Sequence, residues 1–270
     1  MNVATRAAIV ASVAWVAMVV GLASAVTPQF DDLRNQTPIH GDAAAGATKA
    51  ATCAACHGAQ GIAVAPTFPN LAGQSASYLY VQLRAFKDGA RVNAVMQPLA
   101  KALTDQDMRN LAAHFASLPG KLASQAQESS RGSILFHDGD ATKGVPPCQG
   151  CHGVEGKGPH PDPGSTAPQP AWSTFPVLAG QNAPYVLEQL KAYRDGTRVG
   201  TSNDNVMQGV AHNLSEDDMH ALADYVSSLP LKAVMGSNCR CKQLACRCSR
   251  KRDGSPYPHQ YPHVDQATAF

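Results

Sequence analysis

The sequence is short of several things, and each shortage excludes a class of protein. No stretch alternates apolar and polar residues with period two for long enough to suggest a sheet, so helices and loops must build the core. The body of the chain has no surplus of positive charge. Residues 26–230 hold 14 basic and 18 acidic side chains, which excludes a nucleic-acid-binding core. The formal net charge of +2 comes from the C-terminal end, where seven basic residues follow position 230 against only Asp253 and Asp265. An apolar content of 44% is too high for a disordered chain, and 270 residues leave room for two domains of roughly 100 residues each plus extensions.

The N-terminus reads as an export signal over residues 1–25. Arg6 supplies the positive end, Ala7 to Leu22 the apolar run, and Ala23-Ser24-Ala25 a small-residue cleavage site. An uncleaved anchor is the competing reading, because Ala7 to Val26 is 20 residues and just long enough to span a bilayer. That segment is the one route to membrane association.

What the sequence does contain is one five-residue signature twice: Cys53-Ala54-Ala55-Cys56-His57 and Cys148-Gln149-Gly150-Cys151-His152. Two thiols in this spacing can add across the two vinyl groups of a haem, and the next histidine is then held where its imidazole can bind the iron. A zinc site would need a second thiol or imidazole pair nearby in the same domain, and neither half supplies an obvious one. The reading is covalent attachment of two haem c groups, through Cys53 and Cys56 and through Cys148 and Cys151. Export agrees with it, since such attachment takes place outside the bacterial cytoplasm.

The repeat extends well beyond these motifs. Residues 69–92 match residues 176–199 at 14 of 24 positions without a gap, and residues 96–119 match 207–230 at 11 of 24. The predicted organisation is a first haem domain over 41–119, a polar linker over 120–132, a second haem domain over 133–230 and a Cys-rich basic tail over 231–270. The second copy carries 12 extra residues between its haem histidine and Pro176, and four extra between Val199 and Val206. The first insertion, roughly Gly153 to Phe175, reads as an irregular surface loop.

Each copy reads as helical. Leu79, Leu83 and Phe86 recur as Val186, Leu190 and Tyr193 on one face. Met108, Leu111, Ala112 and Phe115 recur as Met219, Leu222, Ala223 and Val226 in a last helix that starts at Thr104 or Ser215, with an acidic residue three positions on.

With one histidine per iron assigned, the remaining question is the opposite ligand. A thioether favours iron(II), raises the reduction potential and fills the coordination shell, which suits electron transfer. Met108 and Met219 belong to the apolar stripe and read as core. Met96 and Met207, placed in loops before the last helix, are the expected axial ligands, paired with His57 and His152. Pro69 and Pro176 are expected to offer the carbonyls that hold the second nitrogen of each ligating imidazole. Arg91 and Arg198, identical in the two copies, could pair with haem propionates.

These residues resemble the cytochrome c4 family over roughly residues 41–230. The resemblance rests on the two Cys-x-x-Cys-His-Gly motifs, the Pro-x-Leu-Ala-Gly-Gln segments at 69–74 and 176–181, the Tyr-x-x-x-Gln-Leu segments at 78–83 and 185–190, and the two methionines. It implies an all-α fold of two tandem class I cytochrome c domains related by internal duplication and facing each other pseudo-symmetrically. It also implies a periplasmic electron shuttle, not an enzyme, working between a membrane quinol-oxidising complex and a terminal oxidase. The alternatives are the cytochrome subunit of a periplasmic dehydrogenase and, against the two matched methionines, a dihaem enzyme. His114 departs from the pattern, standing where the second copy has Tyr225. So does the tail, whose Cys239, Cys241, Cys246 and Cys248 read as a silent extension, as disulfides or as a soft-metal site.

Overall fold

A computed structural model of the chain describes residues 31–33, 39–121, 129–159, 171–231, 239–242 and 245–248. The export segment, the middle of the linker, residues 160–170 of the insertion and most of the tail lie outside the described residues. The described residues through Leu231 form one compact unit and those of the tail a second.

The first half begins with α1 (Ala43–Lys49), which Asp42 starts by accepting the N–H groups of Ala44 and Ala45. A single residue, Ala50, separates it from α2 (Ala51–His57), which carries the first cysteine pair. Helix α3 (Ala76–Asp88) is capped by Ser75 and stopped by Gly89, and α4 (Met96–Lys101) is a short turn after it. Helix α5 (Asp105–Ser117) opens on a reciprocal capping box between Thr104 and Asp107. The second half repeats this with α6 (Arg131–His137), α7 (Gln149–His152), α8 (Ala183–Arg194), α9 (Ser202–His212) and α10 (Glu216–Ser228), the last opened by a Ser215–Asp218 capping box. Helix α6 starts at Arg131 with Ser130 as its cap, so the end of the segment read as linker is already helical.

The same joint organises both halves. Helix α1 crosses α5, and α6 crosses α10, at a glycine where any side chain would collide. A Cβ on Gly46 would lie 2.1 Å from the Asn110 carbonyl oxygen, and one on Gly132 would lie 2.1 Å from that of Ala221. Two separate apolar cores follow. Leu79, Val81, Met108, Leu111 and Phe115 fill the first, and Leu135, Phe136, Met219, Leu222 and Val226 the second. Burying each such side chain contributes about 1.5–3 kcal/mol. Met108 and Met219 are packing residues, as the helical stripe predicts.

The insertion before Pro176 is not surface loop throughout. Its end forms a 3-10 turn (Ala171–Thr174) packed against α3 of the first half, with Ser173 and Thr174 buried. An apolar anchor, Phe175-Pro176-Val177, draws the loop's end inward, and glycine and proline content alone does not show that.

In the tail, β1 (Cys239–Lys242) pairs antiparallel with β2 (Ala245–Cys248), setting Cys239 opposite Cys248 and Cys241 opposite Cys246. The alternation is only four residues per strand, too short to register as a strand in the sequence. The two haem halves are all-α, and this hairpin is the one departure from helix among the named elements.

Candidate haem centres

Each signature histidine ends a helix and is buried against a fixed acceptor. His57 Nδ1 lies 2.9 Å from the Pro69 carbonyl oxygen, and His152 Nδ1 lies 3.0 Å from that of Pro176. A carbonyl can only accept, so Nδ1 carries the proton and Nε2 keeps a free lone pair. Burial lowers the pKa of both imidazoles, only partly opposed by these carbonyls, and the neutral form is therefore favoured. The expectation placed on Pro69 and Pro176 is met in both copies.

The placement of Met96 and Met207 differs from the sequence reading. Neither lies in a loop: Met96 is the first residue of α4, and Met207 sits in the middle of α9. The four extra residues of the second copy explain the asymmetry. They bring Thr201 and Asp204, whose reciprocal capping box starts a longer helix ahead of Met207. In the first copy Asn93 alone gathers the N–H groups of Val95 and Met96.

A continuous cavity of about 830 Å³ runs through both halves, and Cys53, Cys56, His57, Met96, Cys148, Cys151, His152 and Met207 all line it. Three observations test whether this lining fits a covalently held haem. Burial pushes the Cys148 thiol up to about 11 and raises Cys53 as well, so both positions favour a neutral sulfur, as in a thiol or thioether. Both histidines present a free Nε2. Finally, Arg198, only 5% exposed, keeps its Nε without a hydrogen-bond acceptor, 3.7 Å from Asp204 Oδ1, and so offers a buried donor to an anionic edge. The residues fit the group.

Arg91 and Arg198 do more than face the cavity; they cross the seam between the halves. Arg91 donates to Gln82 of its own half (2.5 Å) and to Gln189 (2.7 Å) and the Tyr185 hydroxyl (3.2 Å) of the other. Arg198 mirrors it, donating to Gln189 (2.7 Å), Gln82 (3.0 Å) and the Tyr78 hydroxyl (3.0 Å). Burial alone would raise the Tyr185 hydroxyl, but the charges of Arg91 and Arg198, with hydrogen bonds from Arg91 and Tyr78, outweigh it and lower it. The seam is thus a positively charged region at which both arginines line the cavity.

A second set of seam residues carries no charge signal and was not singled out in the sequence. The Gln74 side chain donates to the Val177 carbonyl (2.9 Å) and accepts the Val177 N–H (2.8 Å). Gln181 does the same with Asn70, at 2.9 and 2.8 Å. Gln74 and Gln181 are 6% and 8% exposed. Their only signal is that the same glutamine ends both Pro-x-Leu-Ala-Gly-Gln segments. Among the other histidines, His137 bonds the Tyr225 hydroxyl and Gln149, while His114 sits on α5 against Gly46, away from the cavity lining.

Comparison with known proteins agrees with this geometry. The pattern of the cytochrome c family matches residues 43–119 and 130–230. Cytochrome c4 of Pseudomonas aeruginosa is 41% identical over 190 residues, covering 70% of this chain and 89% of that protein. A protein of Stutzerimonas stutzeri named thiosulfate dehydrogenase electron acceptor is 37% identical over 193 residues, covering 69% of this chain and 83% of its own length. The crystal structure of reduced recombinant cytochrome c4 from Pseudomonas stutzeri superposes with a TM-score of 0.61 at 37% identity, over 70% of this chain and 99% of that one. With a cysteine–histidine signature, a carbonyl-fixed imidazole and a family match in each half, the chain belongs to the cytochrome c4 family of dihaem electron-transfer proteins, which carry two covalently bound haem c groups.

Proposed function

We propose that the protein is a periplasmic electron carrier in which Cys53 and Cys56 tether one haem, Cys148 and Cys151 the other, and His57 with Met96 and His152 with Met207 fill the axial positions. Haem iron, when bound, supplies a one-electron couple in each half. The residues set its terms. The Pro69 and Pro176 carbonyls orient the imidazoles, the two thioether sulfurs close the remaining position to substrates, and the apolar walls keep water out. The observation that carries the reading is the shared cavity, which gathers all eight residues although they are spread over four helices and the residue capping one of them.

Optical and low-temperature paramagnetic resonance spectra of the oxidised holoprotein test it. Two low-spin haems are expected, with the sulfur-to-iron charge-transfer band at the red end of the visible spectrum. That band should lose about half its intensity in Met96→His and about half in Met207→His. A high-spin haem in the untouched protein, or a band indifferent to both substitutions, overturns the assignment.

The partners are redox proteins. Val92, Val95 and Leu99, at 75%, 54% and 42% exposure around Met96, give the first half an apolar rim for a transient docking partner. A quinol-oxidising complex as donor and a terminal oxidase as acceptor is the first reading. The relatives named thiosulfate dehydrogenase electron acceptor favour a second, in which a dehydrogenase is the donor. Stopped-flow reduction by purified preparations of each donor separates the two.

A further inference from the structure

Residues 31–33 precede the region matched by the cytochrome c family, and no sequence motif marks them. They are nevertheless built into both halves. Leu33, 1% exposed, is part of the first core with Leu79, Val81 and Leu111, and the Asp31 carboxylate pairs with Arg84 on α3. These two contacts root the segment in the first half.

Its backbone goes to the second half. The Asp31 N–H donates to the Gly200 carbonyl (2.7 Å), and the Asp31 carbonyl accepts the Ser202 N–H (3.0 Å), forming a parallel bridge across Thr201. The Leu33 N–H donates to Ser202 Oγ (3.1 Å). Residues 200–202 fall within the stretch lengthened by the second copy's four-residue insertion. Thr201, 1% exposed, caps α9, and Ser202 is its first residue.

The first half also grips this cap from another side. Gly200 has φ +120°, a conformation that L side chains rarely adopt, and a Cβ there would stand 2.7 Å from Ala90 Cβ and 2.8 Å from the Ala90 carbonyl oxygen. The start of the helix bearing Met207 is therefore held between Ala90 and the 31–33 segment. Among the described residues helix α4 has no such hold: the exposed Asn93 starts it from within its own half.

We infer that residues 31–33 are a strap by which the first half positions Met207, so that the methionine side of the second haem depends on interdomain docking while Met96 does not. The strap acts through the cap of α9, and Leu33 and Thr201 also line the cavity; Leu33, Asp31 and Gly200 are positioning residues. The inference rests on reading Met207 as an axial ligand, and the test keeps the two apart.

The experiment uses the full-length reduced holoprotein with Leu33→Ala, Gly200→Ala, Ser202→Ala and the conservative Ser202→Thr. Proton NMR reports the ring-current-shifted methyl of each iron-bound methionine, and amide exchange reports α9 and α4 separately. Expected is a shifted or broadened methyl signal in Leu33→Ala and Gly200→Ala, belonging to the signal that Met207→His removes. The second haem's potential should fall, and exchange in α9 should quicken at least about tenfold with α4 unchanged. Ser202→Ala is expected to act in the same direction and more weakly, and Ser202→Thr to restore the native behaviour. Unchanged α9 exchange in both Leu33→Ala and Gly200→Ala overturns the strap, whatever the ligand. Equal loss in α4 and α9 overturns it too, as mere destabilisation. Quickened α9 exchange with no methyl signal sensitive to Met207→His overturns the ligand assignment, and with it the link from strap to haem.

Discussion

The side chain of Gln74 holds both the N–H and the carbonyl of Val177, at 2.8 and 2.9 Å, across the boundary between the two haem halves. Val177 follows Pro176, whose carbonyl fixes His152. A residue of the first half therefore accepts the N–H of the same peptide group whose carbonyl orients the second half's histidine, and Gln181 returns the arrangement through the peptide joining Pro69 to Asn70.

Gln74→Ala removes both bonds and leaves two buried backbone groups unpaired, at a cost of about 2–4 kcal/mol. Denaturant unfolding followed at the haem absorption should show the variant's transition splitting or moving to lower denaturant relative to that of the native chain. Gln181→Ala should match it, and the double variant should cost little more than either single change if the clasp opens as a unit.

Arg198→Gln removes a buried positive charge from the cavity lining of the second half and leaves Asp204 without its cationic partner. Both changes favour the more positive, oxidised iron, so the potential of the second haem should drop by tens of millivolts or more, with a smaller effect on the first. Redox titration resolves the two haems, and a rise at the second would contradict this assignment of charge.

Acid should loosen the last helix of each half. Lys49 and the Thr104 hydroxyl hold the Asp107 carboxyl at about 2. Burial would raise Asp218, but Lys143, Ser215 and Arg131 together hold it well below the usual carboxylate range. Both groups are depressed in the folded state, so their contribution is complete above the ordinary carboxylate pKa of about 4 and is lost as pH falls towards 2. Unfolding free energy measured between pH 7 and pH 2 should decline from about pH 4 downward, and Asp218→Asn should flatten that slope.

Gly132→Ala places a methyl 2.1 Å from the Ala221 carbonyl oxygen, where backbone must move to admit it. A loss of about 2 kcal/mol or more is expected by thermal unfolding, with Gly46→Ala equivalent in the first half.

Much of this architecture is legible in the residues because local chemistry dictates it. Thr104 with Asp107 and Ser215 with Asp218 announce a helix start that the backbone needs, and Met108 and Met219 fall on a stripe that only a core explains. The carbonyls of Pro69 and Pro176 were foreseeable from what a ligating imidazole requires. The surroundings of Met207 were not. Whether the stretch between Val199 and Val206 makes a loop or the head of a helix turns on a Thr201–Asp204 capping box that is itself held against the first half. Gln74 and Leu33 were hidden for the same reason: an amide and an aliphatic chain have many uses, and only tertiary partners choose among them.

The paired glutamines also decide how the molecule behaves on dilution. Each half presents one amide and one receptive dipeptide edge, so the contact has the reciprocity of a two-fold dimer, but both sides are carried on one polypeptide. Joined in one chain, a half that lets go meets its partner again at a local concentration on the order of millimolar, set by the covalent connection and not by the amount of protein present. Two free subunits would part in a dilute compartment; here the two redox pockets stay face to face at any concentration.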